Sequence, residues 1–267
     1  MNAVAELFRR ALGERRNALI GLTVGAIGMC TLALAMYPSL RDQLGALTAV
    51  LPPEITAFFG ADMVTPAGYV SSQVFTKIAP LLVMISAIGA GALSCAFERG
   101  GVLAVTLAAP VRRTQIVAAH ALAVVTEVAV LAAAVGVVLV ALREPTGLNI
   151  PIARLLAGTV ALALLGAFHG LLTLAVGAAS GSRGLAIGVG TGFALGGFLL
   201  SGLAPLVDSD LLGLVSPFHW AFGAQPLEAG WNGAVLSGLL ALTAGSVLLV
   251  GVAATLFRRR DVGGATT

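Results

Sequence analysis

The chain has 267 residues, of which 58% are hydrophobic and only 10% are charged. A soluble domain carries about 25% charged residues, so this composition indicates a bilayer and argues against a water-soluble protein. The formal net charge of +3 is spread over short segments between apolar runs, which argues against a nucleic-acid-binding protein.

The chain begins with a predicted amphipathic helix over residues 1–16. Apolar residues recur there at the three-and-four spacing of one helix face: Val4, Leu7, Phe8, Ala11 and Leu12. Charged residues occupy the other faces, and the arginines among them suit anionic lipid headgroups. We therefore expect this helix to lie along the cytoplasmic interface of the membrane. A solvated start to the first membrane span is the alternative.

Six apolar runs follow, each long enough to cross a hydrocarbon core as a helix. They are predicted at residues 17–37, 74–97, 116–142, 155–180, 184–205 and 234–257. Barrel strands would alternate polar and apolar residues over about ten positions, whereas these runs are continuous. The predicted fold is an all-α integral membrane protein with its transmembrane domain over 17–257 and a tail over 258–267. Signal-peptide cleavage after Ala35 would remove the first run and is an alternative.

Two segments between these runs are more apolar than ordinary loops. Residues 44–60 contain Pro52-Pro53 and two phenylalanines, and residues 211–231 contain the run Ser216-Pro217-Phe218-His219-Trp220. Because Phe and Trp favour the membrane–water boundary, we expect short interfacial or re-entrant helices at the outer surface.

The basic residues indicate the orientation of the chain. An even number of spans places both termini on one side, and eleven of the fifteen basic residues fall on that side: Arg9, Arg10, Arg15, Arg16, Arg99, Arg112, Arg113, Arg183, Arg258, Arg259 and Arg260. Cytoplasmic loops carry the excess of Lys and Arg. The prediction is a multi-pass protein of the plasma or inner membrane with both termini cytoplasmic.

The sequence lacks a phosphate-binding loop. Such a loop ends in Gly-Lys followed by Ser or Thr, whereas the only lysine, Lys77, follows Thr76 near the outer end of the second run. Serine-hydrolase elbows and HExxH are also missing, and the two cysteines form no CxxC pair or Cys/His cluster. We therefore predict no enzyme activity, no bound cofactor and no metal site in this chain. If the protein works with ATP, another polypeptide supplies the ATPase.

The segment after the second run carries the most specific motif. Residues 97–113 read Phe-Glu-Arg-Gly-Gly-Val-Leu-Ala-Val-Thr-Leu-Ala-Ala-Pro-Val-Arg-Arg. This stretch resembles the first cytoplasmic loop of type-2 ABC transporter permeases, in which a Glu is followed by Gly-Thr-Leu and then by Leu-Leu-x-x-Pro-Val-x-Arg. The matching positions are Glu98, Gly101, Leu103, Leu107, Pro110, Val111 and Arg113. Val102 replaces the usual Thr, and His120 stands near a position where Lys is common.

The resemblance extends to shorter pieces elsewhere: Phe59-Gly60, Gly68-Tyr69, Ser216-Pro217 and the basic end at 258–260. It implies a membrane subunit that pairs with a second copy or a homologous permease, and with two ATPase subunits that bind ATP and Mg. Residues 98–115 would be the coupling segment that docks on the ATPase, with Glu98, Arg112 and Arg113 flanking an apolar docking face. Most relatives are exporters, so the resemblance implies efflux of a drug, an antibiotic or a lipid. A basic loop that merely anchors two spans is the alternative.

Glu127 lies eleven residues into the third run, about 16 Å at the helical rise and close to the bilayer midplane. A carboxylate there is costly unless it is paired, wetted or protonated. His169, at a comparable depth in the fourth run, is the predicted partner, and the two would form a polar pair or line a wet pathway. A protonated Glu127 bonded to a neighbouring backbone or hydroxyl group is the structural alternative. Proton-coupled secondary transport through these two residues is the alternative function.

Glycines recur every four residues in the fifth run, at Gly184, Gly188, Gly192 and Gly196. They share one helix face, and small residues let helices approach closely in lipid. In the permease family this run borders the pathway between the two membrane halves, so Gly188, Gly192 and Gly196 are candidates for a dimer interface. Packing within one subunit is the alternative.

Overall fold

The computed structural model describes residues 3–48, 65–93, 112–204 and 210–259. About 90% of these residues are helical, and they contain no β-strand. The long helices are α1 (Ala3–Thr48), α2 (Pro66–Gly91), α3 (Arg113–Leu142), α4 (Ile152–Ser180), α5 (Arg183–Leu203) and α9 (Gly233–Arg259). Three short helices precede the last one: α6 (Asp210–Val215), α7 (Pro217–Phe222) and α8 (Pro226–Ala229).

Within the described residues, six helices are long and apolar enough to cross a membrane. This confirms the predicted all-α membrane fold with six candidate spans. The predicted runs fall within these helices, except at two ends. Residues 92–93 of the second run and residue 204 of the fifth extend past α2 and α5, and residues 94–97 and 205 lie outside the described residues. Continuous apolar runs of this length form helices because a backbone inside lipid must satisfy its own hydrogen bonds.

Helix α1 is one uninterrupted helix of 46 residues. The helix predicted over residues 1–16 is therefore present, but it continues directly into the first span. The junction contains Glu14, Arg15 and Arg16, followed after Asn17 by Ala18 and Leu19, and all but Asn17 are strong helix formers. No proline lies at this point, and Gly13 stands alone among helix formers, so the charged start and the apolar remainder form one continuous helix.

Helix α2 contains a π-helical segment, Ser71–Ile78. The hydroxyl of Thr76 donates a hydrogen bond to the carbonyl of Ser71, five residues earlier, at 2.9 Å. The segment ends just before Pro80, whose nitrogen has no hydrogen to donate to the preceding turn. Single wide turns of this kind interrupt α-helices and shift the register of the side chains that follow.

Helix α4 occupies the centre of the bundle and packs against α2, α3, α5 and α9. Close approach depends on small residues, as is usual between helices in lipid. A Cβ on Gly166 would lie 2.3 Å from Val83 of α2 and 2.8 Å from Val128 of α3. A Cβ on Gly91 at the end of α2 would lie 2.2 Å from the carbonyl oxygen of Gly170. Helices α2, α3 and α4 therefore form a tightly packed unit.

Helices α1, α5 and α9 lie at the periphery and expose apolar side chains. Val247 and Leu248 of α9 are 69% and 68% exposed, and Leu195 of α5 is more than half exposed. Exposed apolar surface on this scale is expected for helices that face lipid or another membrane subunit. Residues that pack inward from α1, such as Cys30 and Leu34, belong to the main hydrophobic core.

The segment predicted at residues 211–231 forms the short helices α6, α7 and α8. The hydroxyl of Ser216 caps α7 by accepting from the backbone N–H of Phe218 at 3.2 Å, and it donates to the carbonyl of Gly197 at 2.6 Å. Phe218 and Ala221 are buried, so α7 packs against α4, α5 and α9. Most of the other predicted outer segment, residues 49–60, lies outside the described residues.

Candidate functional site within the bundle

Glu127 lies halfway along α3, with a side chain only 1% exposed. Arg15 of α1 donates from its Nε to both carboxylate oxygens, at 3.0 Å and 2.9 Å. The same guanidinium donates from Nη2 to the backbone carbonyl of Ser86 in α2 at 3.1 Å. The Ser86 hydroxyl donates to Glu127 Oε2 at 3.2 Å. We call Arg15, Ser86 and Glu127 the polar clamp, because together they join α1, α2 and α3.

A glycine in α2 makes room for the clamp. A Cβ on Gly89 would lie 2.7 Å from Arg15 Nη1 and 2.8 Å from Nη2. The guanidinium therefore lies flush against the α2 backbone, where its side chain is 13% exposed. A buried ion pair is tolerated when its geometry is good and further hydrogen bonds support it. Ser86 supplies two such bonds, because its carbonyl accepts from Arg15 and its hydroxyl donates to Glu127.

The clamp lies near the middle of the bundle's depth. The exposed apolar residues of α9 run from Leu236 to Leu256, which are about 30 Å apart at the helical rise and so match a hydrocarbon core. Gly245, near the middle of this run, contacts the ring of Phe168 in α4. On either side of Phe168, Gly166 lies against Val128 and Gly170 lies against Val124 of α3. Glu127 therefore lies at about the level of Phe168, near the middle of the run.

The predicted pairing of Glu127 with His169 is wrong. His169 is fully buried in α4, and its Nδ1 lies 2.9 Å from the carbonyl oxygen of Leu165 one turn earlier. The helix predicted over residues 1–16 would place Arg15 at the membrane surface, too far from Glu127 to be its partner. Continuity of α1 instead carries Arg15 to the depth of Glu127, and a cation is a stronger partner for a buried carboxylate than an imidazole.

His169 belongs to a group of rings on the other side of α4. Its ring centroid lies 5.7 Å from Phe168 and Phe218 and 5.8 Å from Phe193, and Trp220 lies edge-on to Phe168 at 6.1 Å. We call these five residues the aromatic cluster. Within the described residues, His169 Nε2 is buried without a hydrogen-bond partner. The aromatic character of residues 216–220 was a visible signal, but nothing in the sequence showed which span it would meet.

Most of the predicted coupling segment lies outside the described residues, including Glu98, Gly101, Leu103, Leu107 and Pro110. Its last part is described. The backbone N–H of Arg112 at the start of α3 donates to the Gln115 side chain at 2.8 Å. Arg113 donates to the carbonyls of Phe257 and Arg258 at 3.2 Å and 3.4 Å. A cation there stabilises the carbonyl end of α9, so Arg113 ties α3 to α9.

The predicted glycine face of α5 points away from the subunit. A Cβ on Gly188, Gly192 or Gly196 would meet no heavy atom within 4 Å. The face that packs inward carries Gly190, where a Cβ would lie 2.3 Å from Thr173 Oγ1. Within the described residues, therefore, close packing in one subunit does not account for the glycine face. No protein-family model matches the chain, and no curated protein matches it either.

Proposed function

We propose that the chain is the permease subunit of an ATP-driven ABC exporter. It would form half of a substrate pathway in a dimer, with a second copy or a homologous permease. Two separate ATPase subunits would bind ATP and Mg and dock on the coupling segment at residues 98–115. The exported compound would be hydrophobic or amphipathic, as a drug, an antibiotic or a lipid is.

The observation that carries the proposal is that the polar clamp joins the two helices that flank the coupling segment in the chain. That segment connects α2 to α3. Ser86 of α2 and Glu127 of α3 are both bonded to Arg15 of α1. A movement imposed on the segment would pass through α2 and α3 and act directly on α1. Such a rigid connection is what an ATPase that drives the membrane subunit from outside requires.

The glycine face of α5 supports the dimer. Gly188, Gly192 and Gly196 leave a smooth strip of backbone open on the outside of the subunit. The hydrophobic effect gives little drive to associate in lipid, so close backbone contact is the usual way for two helices to pair. A second membrane subunit is the natural occupant of this strip.

The aromatic cluster supports the assignment of residues 210–229 to the outer side of the membrane domain. Helix α7 lies between α4, α5 and α9, and Phe218 reaches the depth of His169. Gly238 of α9 faces the carbonyl of Trp220, two residues inward from the outer end of the exposed apolar run. We therefore assign 210–229 as a re-entrant segment that enters the membrane from the outer surface, with the termini on the cytoplasmic side.

Proton-coupled secondary transport through Glu127 and His169 is less well supported. Direct proton exchange between the two residues lacks a contact, because Glu127 is bonded to Arg15 and Ser86, and His169 packs among aromatic rings.

Co-purification tests the proposal. The chain is expressed together with its neighbouring genes and purified. The expected result is that a nucleotide-binding subunit co-purifies and that the complex transports only with ATP. Leu107→Asp in the coupling segment is expected to release the ATPase. Val215→Asp, at an exposed position in α6 on the opposite end, is the matched control and should leave the complex intact. Transport by the chain alone without ATP would refute the proposal.

A further inference from the structure

The exposed face of α1 changes character about a third of the way along the helix. The exposed side chains of residues 6–16 are charged: Glu6, Arg9, Arg10, Glu14 and Arg16. The large exposed side chains of residues 20–36 are apolar: Ile20, Val24, Ile27, Leu32 and Met36. We call residues 6–16 the charged half of this face and residues 20–36 its apolar half. The change occurs one residue after Arg15, which is the residue that binds Glu127.

The charged half of α1 lies at a depth in the bundle that falls within the hydrocarbon core deduced from α9. Leu7 packs against the cluster that contains Ile116 and Phe257, so the start of α1 runs beside the inner ends of α3 and α9. Arg15 lies at the level of Glu127, near the middle of the hydrocarbon core. Arg9 is six residues closer to the inner surface, about 9 Å, and Arg16 is at almost the same level as Arg15.

Hydrocarbon cannot be the surroundings of this face. Ionised side chains in the bilayer core are strongly unfavourable and normally face a bundle interior or water. Arg16 lies about 15 Å from the inner edge of a core of about 30 Å, which is farther than an arginine side chain extends. At comparable depth α9 exposes Val247, Leu248 and Val252, as expected for a face against lipid. The two peripheral helices therefore face different surroundings.

We propose that the charged half of α1 lines a water-filled vestibule, which opens on the side of the termini and admits anionic amphiphiles. Its face carries three arginines and two glutamates. Glu14 is paired with Arg10 at 3.1 Å, whereas Arg9 and Arg16 have no acidic partner in the described part of the chain. An anionic headgroup would bind there, and its tail would lie against the apolar half of the same face. This choice of substrate class rests on the proposed transport function, and the vestibule itself does not.

Two glycines offer matched probes. Gly13 lies on the charged face, with arginines three and four residues before it and three after it, and Gly251 lies on the exposed face of α9 in the inner half of the core. A Cβ at either position would meet no heavy atom within 4 Å. Gly13→Cys and Gly251→Cys, each in a Cys30→Ala, Cys95→Ser background, are therefore expected to fold normally.

The two variants are treated, in membrane vesicles of both orientations, with two impermeant thiol reagents. One is the anionic sulfonatoethyl methanethiosulfonate and the other the cationic trimethylammonioethyl methanethiosulfonate. The cysteine at position 13 should react from the side of the termini, and the one at 251 should react only after solubilisation in SDS. Protection of position 13 to the same degree as position 251 would overturn the vestibule.

The ratio of the two rates reports the sign of the local charge. At position 13 the anionic reagent should be favoured about fivefold over its ratio with a free thiol in solution. Adding Arg9→Gln and Arg16→Gln should return the ratio to that of the free thiol. An unchanged ratio at position 13 would overturn the assignment of anionic amphiphiles. The labelling needs neither ATP nor a partner, so its outcome is independent of whether an ATPase co-purifies.

Discussion

The polar clamp and the aromatic cluster lie at similar depth on different sides of the bundle, and they hold a buried polar group in opposite ways. Both carboxylate oxygens of Glu127 are bonded, and the cation that binds them is itself anchored on the α2 backbone. His169 has one ring nitrogen near a backbone carbonyl and the other without a partner in the described residues. A charge needs several fixed partners in a membrane, whereas a neutral imidazole is retained by packing and a single hydrogen bond. The clamp is therefore expected to be rigid and the cluster adaptable.

The largest effect is expected from breaking the clamp. Glu127→Gln or Arg15→Gln leaves one buried charge without its partner and should lower the free energy of unfolding by about 3–5 kcal/mol. SDS-induced unfolding in mixed micelles, followed by tryptophan fluorescence, measures this loss. The control is Glu14→Gln, which removes a pair whose side chains are 53% and 39% exposed and should cost no more than about 1 kcal/mol. Equal losses in both variants would mean that the clamp is not rigid.

The double variant Arg15→Gln, Glu127→Gln sharpens the same comparison. It removes both charges together, so no ion remains buried without a partner, and it should recover most of the stability that either single change loses. Additive losses would instead show that the two residues act separately.

An intermediate effect is expected from adding one methyl group between α2 and α4, or beside the aromatic cluster. A Cβ on Gly91 would meet the Gly170 carbonyl oxygen at 2.2 Å, and one on Gly245 would meet the Phe168 ring at 2.7 Å. Overpacking costs about 1–3 kcal/mol. Gly91→Ala should reach the upper end because a backbone must move, and Gly245→Ala the lower end because a ring can rotate. Unfolding in mixed micelles ranks the two, and the reverse order would contradict an adaptable cluster.

A smaller effect is expected at His169. Phenylalanine has a similar volume and joins the surrounding rings, so His169→Phe should change the free energy of unfolding by less than about 1.5 kcal/mol. Transport is measured beside stability on the same preparation. A loss as large as that of Glu127→Gln would show that the hydrogen bond of the imidazole, and not its packing, holds the ring in place.

The smallest effect on the subunit is expected on the glycine face of α5. Gly192→Leu meets open space and should leave the stability of the monomer within about 0.5 kcal/mol. It should nevertheless abolish the dimer, measured by light scattering of the purified protein in detergent. Gly190→Leu is the contrasting variant: it meets Thr173 and should destabilise the subunit itself. An intact dimer in Gly192→Leu would place the interface elsewhere.

The six candidate spans could be predicted from sequence because length and hydropathy decide them residue by residue. Their ends shifted by a few residues where a terminus depends on local chemistry, as at Pro151 and Ser182, which precede α4 and α5. The short helices between residues 210 and 229 were expected for the same reason. The penetration of Phe218 to His169 was not, because it depends on which helices surround α7.

The sequence patterns did not predict the clamp, because each of its two charged residues was assigned to a different part of the protein. Glu127 was recognised as an acid inside a span, but Arg15 was counted as a loop residue that marks orientation. The useful signal was the acid itself: a buried carboxylate needs a cation, and Arg15 lies two residues before the apolar run of α1. The coupling segment remains a prediction, since most of it lies outside the described residues.

The length of α1 has a mechanical consequence. From Arg15 to Thr48 the helix covers 33 residues, or about 50 Å at the helical rise, with a second attachment where Tyr69 donates to the Ala33 carbonyl at 2.7 Å. A rigid rod transmits rotation between its two attachments, so a tilt of about 5° about the clamp would displace Ala33, about 27 Å away, by about 2 Å. A small torque applied at the clamp would thereby be felt at Tyr69, near the start of α2.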